Sequence, residues 1–189
     1  MSRRDIQSII ERHSRWIERK LREWESRKPI RKHFVEGEKF LFLGNEYPLK
    51  FASHQRKGVI FDGSSIIVKP ADAETIRRRL INWYKEQAKT IIPPRVRHLA
   101  DIYGFTYSRI RITSARKRWG SCSPDNSLNF SYRLIMAPPE VIDYVIIHEL
   151  VHTRIKNHSQ SFYRMLKSIM PDYREKEDWL HRHWHLTVW

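Results

Sequence analysis

His148-Glu149-Leu150-Val151-His152, continued by Thr153-Arg154-Ile155-Lys156-Asn157-His158, is the stretch that decides how this 189-residue chain is read. Four residues along a helix is just over one turn, so His148 and His152 project from the same side. Two imidazoles stacked in this way clasp one metal ion from a single helix. Glu149 is rotated about 100° from His148, beside the metal rather than on it, where a base has to sit to take a proton from a metal-activated water. His158 is placed to supply a third imidazole if the helix ends at Asn157 and the chain folds back. Three neutral imidazoles leave one tetrahedral position free for water, which is the pattern of a catalytic rather than a structural zinc. The competing reading, a buried histidine pair, leaves the Glu149 charge near an apolar core without an evident cation, and that is costly.

The residues leading into this stretch support a helix. Pro138-Pro139-Glu140 opens it, with proline suited to the first turn and an early carboxylate suited to the dipole. Val141, Tyr144, Val145, Ile147, Val151 and Ile155 recur at helical spacing. The helix is expected to run to about Lys156, with Asn157 as a left-handed cap. Ser159 then caps a further helix through Ile169, and Pro171 restarts the chain toward a last helical segment. His181, His183 and His185 alternate, which would align them only on a strand, whereas Trp179, Leu180 and Trp184 have helical spacing. A surface helix is therefore expected there in preference to a second metal site.

Upstream the pattern changes to strands. Leu128, Phe130, Tyr132 and Leu134 alternate with Asn129, Ser131 and Arg133, and Ile110 and Ile112 alternate with Arg109 and Arg111, so each run presents one dry face. Arg118-Trp119-Gly120-Ser121-Cys122 reads as a strand end, and Pro124-Asp125-Asn126 as a turn. Two hairpins are expected earlier: Lys39–Leu43 with Tyr47–Phe51 around Gly44-Asn45, and Val59–Phe61 with Ile66–Val68 around Asp62–Ser65. Asp72 caps a helix through about Ile91 that Pro93-Pro94 ends, and a second piece from Arg95 to about Tyr103 stops at Gly104. Residues 5–26 read as an amphipathic helix, with an Ile/Trp stripe opposite Arg12, Arg15, Arg19, Lys20 and Arg22. The expected organisation is a basic helical extension over 1–35 and a catalytic domain over 36–189.

Composition narrows the class. Hydrophobic content of 40% argues against wholesale disorder, and no apolar run is long enough to span a bilayer. The first residues lack the uninterrupted apolar core of a secretory signal. The single cysteine, Cys122, points to a reducing, cytoplasmic setting. A formal charge of +15 attracts polyanions through its long-range field and says nothing of fold. Arg77-Arg78-Arg79, Arg116-Lys117-Arg118 and the first helix therefore keep a second reading open, a zinc protein associated with DNA or RNA whose hydrolysis is secondary or acts on nucleic-acid-bound proteins. No helix-turn-helix, zinc-finger or RNA-recognition signature accompanies them.

Taken together, Arg118-Trp119-Gly120-Ser121-Cys122, Tyr144–His152, Asn157-His158-Ser159 and Phe162 resemble the YgjP-like metallopeptidases, which are related to SprT-like and other zincin-type zinc peptidases. The resemblance covers roughly residues 36–183. It implies an α+β zincin fold with a small, mostly antiparallel sheet packed on the active-site helix. It also implies zinc held by His148, His152 and His158, with Glu149 catalytic and a peptide or protein as substrate. The chain departs from the metzincin pattern, which requires glycine where this sequence has Ile155. For the oxyanion the candidates are Tyr144, one turn before His148, and Arg118 or a backbone N–H near Trp119-Gly120. Trp119, Gly120 and Ser121 are candidates for a sheet edge that pairs with extended substrate, or else form a turn glycine beside a packed Trp. A core Tyr with a bonded hydroxyl is the plainer reading of Tyr144.

Overall fold

The structure, a computed structural model, describes residues 31–53, 58–187 and 189, together with positions 13, 14 and 18. Apart from those three positions, the basic helix expected over residues 5–26 lies outside the described residues.

Both early hairpins form, and together they make one sheet. β1 (Lys39–Phe42) and β2 (Asn45–Phe51) pair antiparallel, as do β3 (Val59–Phe61) and β4 (Ile66–Val68). β4 also lies parallel to β2, giving the order β1-β2-β4-β3. The first turn is Leu43-Gly44, one residue earlier than the sequence indicates. Both residues have positive φ, 48° and 83°, as a type I′ turn requires. A side chain at Gly44 would also collide with Pro138, since its Cβ would lie 2.7 Å from the ring. The Gly44 amide donates to the Met136 carbonyl (3.1 Å), so the hairpin tip is pinned to the connection that leads into the metal-site helix.

α1 (Ala73–Tyr103) is one 31-residue helix, not the two pieces predicted around Pro93-Pro94. Asp72 caps its start by accepting from the Thr75 amide, and Gly104, at φ 65°, closes its end. Proline inside a helix forfeits a backbone bond and crowds the preceding turn, at about 3 kcal/mol. The φ of proline is nevertheless helical, and burial offsets the loss. Ile76, Leu80, Tyr84, Ala88, Ile92, Val96 and Leu99 form one buried stripe that runs straight past the prolines. The Tyr84 hydroxyl donates to the Leu41 carbonyl (2.7 Å), tying α1 to the first sheet.

The second sheet has three strands. β5 (Arg109–Thr113), β6 (Gly120–Cys122) and β7 (Ser127–Ser131) lie in the order β5-β7-β6, with β7 parallel to β5 and antiparallel to β6. The alternation running on to Leu134 overstates β7. At Ser131 the side chain accepts from the Arg133 amide and starts a 3₁₀ turn over Tyr132–Met136. All five residues of that turn are buried, so their inward faces no longer need a period of two.

α2 (Pro139–Val151) carries the metal-site stretch. It is apolar almost all round, as befits a helix packed against α1, β6 and two later helices, α3 (Gln160–Ile169) and α4 (Tyr173–His183). It ends about one turn earlier than predicted. The Thr153 hydroxyl donates to the Leu150 carbonyl (2.7 Å), and the Ile155 amide to that of Val151 (2.9 Å). These bonds satisfy the last carbonyls and release the chain. Asn157 is not a left-handed cap, because Phe34, Leu43 and Asn126 are the non-glycine residues with positive φ among those described. The class is α+β as the sequence implied, with two small sheets rather than one. Among the described residues no helix is long and apolar enough to cross a membrane.

Candidate metal centre

His148 lies in the last turn of α2, His152 caps that helix, and His158 stands in the loop before α3. The loop is held from two sides, which folds His158 back toward the helix. Arg154 donates to the Gly104 carbonyl (2.5 Å) and lies over Phe105. Lys156 donates to the Ser123 carbonyl (3.0 Å) and to Asn126 Oδ1 (2.5 Å). Nε2 of His158 lies 3.1 Å from Nε2 of His148 and 3.2 Å from Nε2 of His152. Fully buried Phe162, in the first turn of α3, packs under all three rings at 4.9, 4.5 and 4.9 Å between centroids.

These residues fit a metal ion. Tetrahedral ligands about 2.0–2.1 Å from zinc lie about 3.3–3.4 Å apart, close to the two observed separations. His152 Nδ1 is bonded to the Ile155 carbonyl (2.9 Å), which fixes the tautomer and turns Nε2 inward. Among the described residues this trio is the group of three or more such side chains whose ligand atoms converge, all within 4.8 Å. His181, His183 and His185 form no such group. Burial, reinforced by the neighbouring imidazoles, holds His148 far down, at about 3, and burial also lowers His152. Both rings are therefore neutral at pH 7, and a metal need not displace their protons.

Glu149 faces the opposite wall, β6. It is 5% exposed, and its Oε2 is buried without a protein partner. Burial pushes its pKa up to about 8, opposed by the Arg118 charge and the Cys122 backbone N–H. A divalent cation beside it shifts that balance toward the carboxylate. Gly120 makes room for this side chain. A Cβ there would sit 2.6 Å from Oε1 and 2.7 Å from Cγ of Glu149. The space that a glycine leaves at position 120 is thus taken by Glu149.

A cavity of about 490 Å³ opens over the site. Its walls bring together Trp119, Gly120, Tyr144, His148, Glu149 and His158. Ser121 lies outside it, in an adjoining groove of about 440 Å³ that shares Arg118, Trp119 and Gly120. Tyr144 is buried, and burial raises its pKa so that the phenol stays protonated as a donor. Lys117, Glu177, Leu180 and His181 complete the walls and were not singled out for the site by the sequence. The available signal was the spacing of Glu177, Leu180 and His181, which share one helical face.

The chain matches the YgjP-like metallopeptidase domain over residues 1–183. It belongs to that family. As a YgjP-like protein it is a metal-dependent peptidase, and its histidine cluster can hold the metal. Two solved structures are similar to this YgjP-like chain in part. The metallopeptidase zymogen of Pyrococcus abyssi abylysin has 24% identity and a TM-score of 0.44, covering 48% of this chain and 91% of that one. The zymogen of Methanocaldococcus jannaschii jannalysin has 24% identity and a TM-score of 0.42, covering 47% and 92%. Comparison with curated proteins gives no match.

Proposed function

We propose that the protein hydrolyses peptide bonds with zinc held by His148, His152 and His158 and with Glu149 as general base. The single observation that carries this reading is the convergence of three imidazole nitrogens at a cavity whose wall includes the buried carboxylate of Glu149, one oxygen of which has no partner. Three nitrogen donors suit zinc. When bound, the ion supplies Lewis-acid polarisation and lowers the pKa of water at the site toward about 7.

The remaining work falls to the chain. Glu149 takes a proton from the attacking water and delivers it to the leaving amine, and burial in a site of low dielectric suits it to hold that proton in between. Tyr144, kept protonated by burial and one turn from His148, is the side-chain donor to the oxyanion. Phe162 keeps water from the far side of the histidines. Among the described residues β6 pairs with β7 alone, so no described strand occupies its other edge, and an extended peptide adds there as a further strand. The side chains of Trp119 and Ser121 flank that strand.

The test is hydrolysis of an unfolded protein by wild type and Glu149→Gln, with metal content measured on both. The variant is expected to keep its metal and lose at least about a hundredfold in rate. Equal rates would remove Glu149 from the mechanism. Tyr144→Phe is expected to lower kcat with KM little changed.

A further inference from the structure

One residue of each basic triplet, Arg77 and Arg116, acts on a buried arginine outside the metal cavity, whereas Lys117 and Arg118 line that cavity. Arg133, in the 3₁₀ turn after β7, is 4% exposed. Its NH1 donates to the carbonyls of Ser114 (3.2 Å) and Ala115 (3.4 Å), and its Nε has no partner. The guanidinium lies 4.4 Å from the Tyr132 ring centroid, and Lys85 Nζ lies 5.9 Å from the same centroid. Ala115, held by Arg133, is followed by Arg116, the first residue of one triplet. Arg77, the first residue of the other, comes from α1, which packs against the 3₁₀ turn. Burial first, and then the charges of Arg116 and Arg77, push the Arg133 guanidinium down. Both charges also act on the Tyr132 phenol.

The cluster lacks counter-charge. Among the described residues no carboxylate side chain lies within 4.0 Å of Arg133, Arg116 or Lys85, while Arg77 has Glu74 at 3.4 Å and donates to the Trp189 main-chain oxygen at 3.5 Å. A buried guanidinium without an anion is costly, so a fold that keeps one is completed by a ligand. Four cations against Glu74 and the Trp189 oxygen leave an excess of at least two charges, more than a single carboxylate neutralises. Phosphate is the better match, because it brings several acceptor oxygens to guanidinium forks, and successive phosphates on a polymer supply further charge. The overall excess of +15 draws such a polymer toward the surface.

We propose that Arg133, Arg116, Arg77 and Lys85 form an anion site, separate from the metal cavity, for the phosphodiester backbone of a nucleic acid. Arg133 anchors one end of the segment 114–119, whose other end, Arg118 and Trp119, lines the metal cavity. The site thus lies at the root of a wall of the peptidase cleft.

The test is fluorescence anisotropy of a labelled single strand of about 20 nucleotides, titrated with full-length protein at several salt concentrations. Arg77→Glu with Arg116→Glu is expected to weaken binding at least about tenfold and to flatten the salt dependence by about 0.7 for each phosphate that is no longer neutralised. Arg97→Glu with Lys167→Glu makes an equal charge change at two exposed positions outside the site, Arg97 about 18 Å past Lys85 along α1, and is expected to change affinity less than about twofold. Peptide hydrolysis by all three proteins stays at the wild-type rate and reports that they are folded. A loss from this control pair equal to that from Arg77→Glu with Arg116→Glu would reduce the effect to net charge and overturn the site. So would binding indifferent to Arg77→Glu with Arg116→Glu, or tighter binding of a poly-glutamate of matched charge.

Discussion

Gly120→Ala is the substitution whose outcome follows most directly from the geometry. The added Cβ would lie 2.6 Å from Oε1, 2.7 Å from Cγ and 2.9 Å from Cδ of Glu149. Ordinary contact needs about 3.4–4 Å between such atoms, so the carboxylate or β6 has to move by roughly an ångström. Overpacking of this kind costs about 1–3 kcal/mol. Loss of glycine freedom in the unfolded chain returns about 0.4–1 kcal/mol, leaving a modest net destabilisation. The larger effect is on catalysis, where a displacement of about 1 Å costs on the order of a hundredfold. Because the three atoms nearest the added Cβ all belong to Glu149, metal content should be unchanged and the melting temperature only slightly lower. The assay is kcat and KM on a quenched fluorescent peptide, alongside metal analysis and thermal unfolding. A variant that keeps kcat within about twofold of wild type would show that Glu149 needs no such exact seat, and the reasoning would fail.

Other expectations follow from particular contacts. His158→Ala, which removes the ring facing both other imidazoles at 3.1 and 3.2 Å, should abolish stoichiometric metal binding while leaving the fold intact, because the ring is exposed; full occupancy by metal analysis would contradict its role. Pro93→Ala should raise the unfolding midpoint, since it restores an amide donor within a continuous helix; a lower midpoint would mean that the proline shapes α1 rather than being tolerated in it. Asp125, bonded by the Ser123 and Ser127 hydroxyls, is held at about 2 against an ordinary 3.8. Its native pKa is depressed, so its stabilising contribution is complete above the unfolded value and is lost as pH falls toward 2. Carboxylate NMR titration should place its midpoint well below that of an exposed Asp, and a midpoint near 3.8 would remove this contribution.

The metal centre is more legible in the sequence than its surroundings are. The His148–His152 spacing is a property of one helix turn, so it survives any error about where the helix ends. The helix does end early. Nothing in the pattern Thr153–Lys156 shows that the Thr153 hydroxyl will bond back to Leu150 and that His152 will bond to the Ile155 carbonyl. Both are local side-chain choices that compete with helix continuation. Pro93-Pro94 mislead in the opposite direction, because their penalty is local whereas the stripe from Ile76 to Leu99 that outweighs it is set by tertiary packing. The parallel pairing of β2 with β4 is out of reach, since alternation gives a strand its faces and not its neighbours. Gly120 stands out for the absence of a side chain, but that the space it leaves is filled by Glu149 is set by how α2 packs on β6 and is not legible in the sequence. Arg133 looks like the outward residue of an alternating strand and is instead buried, because the strand ends two residues before it, at Ser131.

The measurement that bears most directly on the metal centre is X-ray absorption spectroscopy of the zinc-loaded protein in solution. Three imidazole nitrogens and one oxygen from solvent, at about 2.0–2.1 Å, are predicted. A shell with a fourth protein donor, or one with fewer than three imidazoles, would contradict the account.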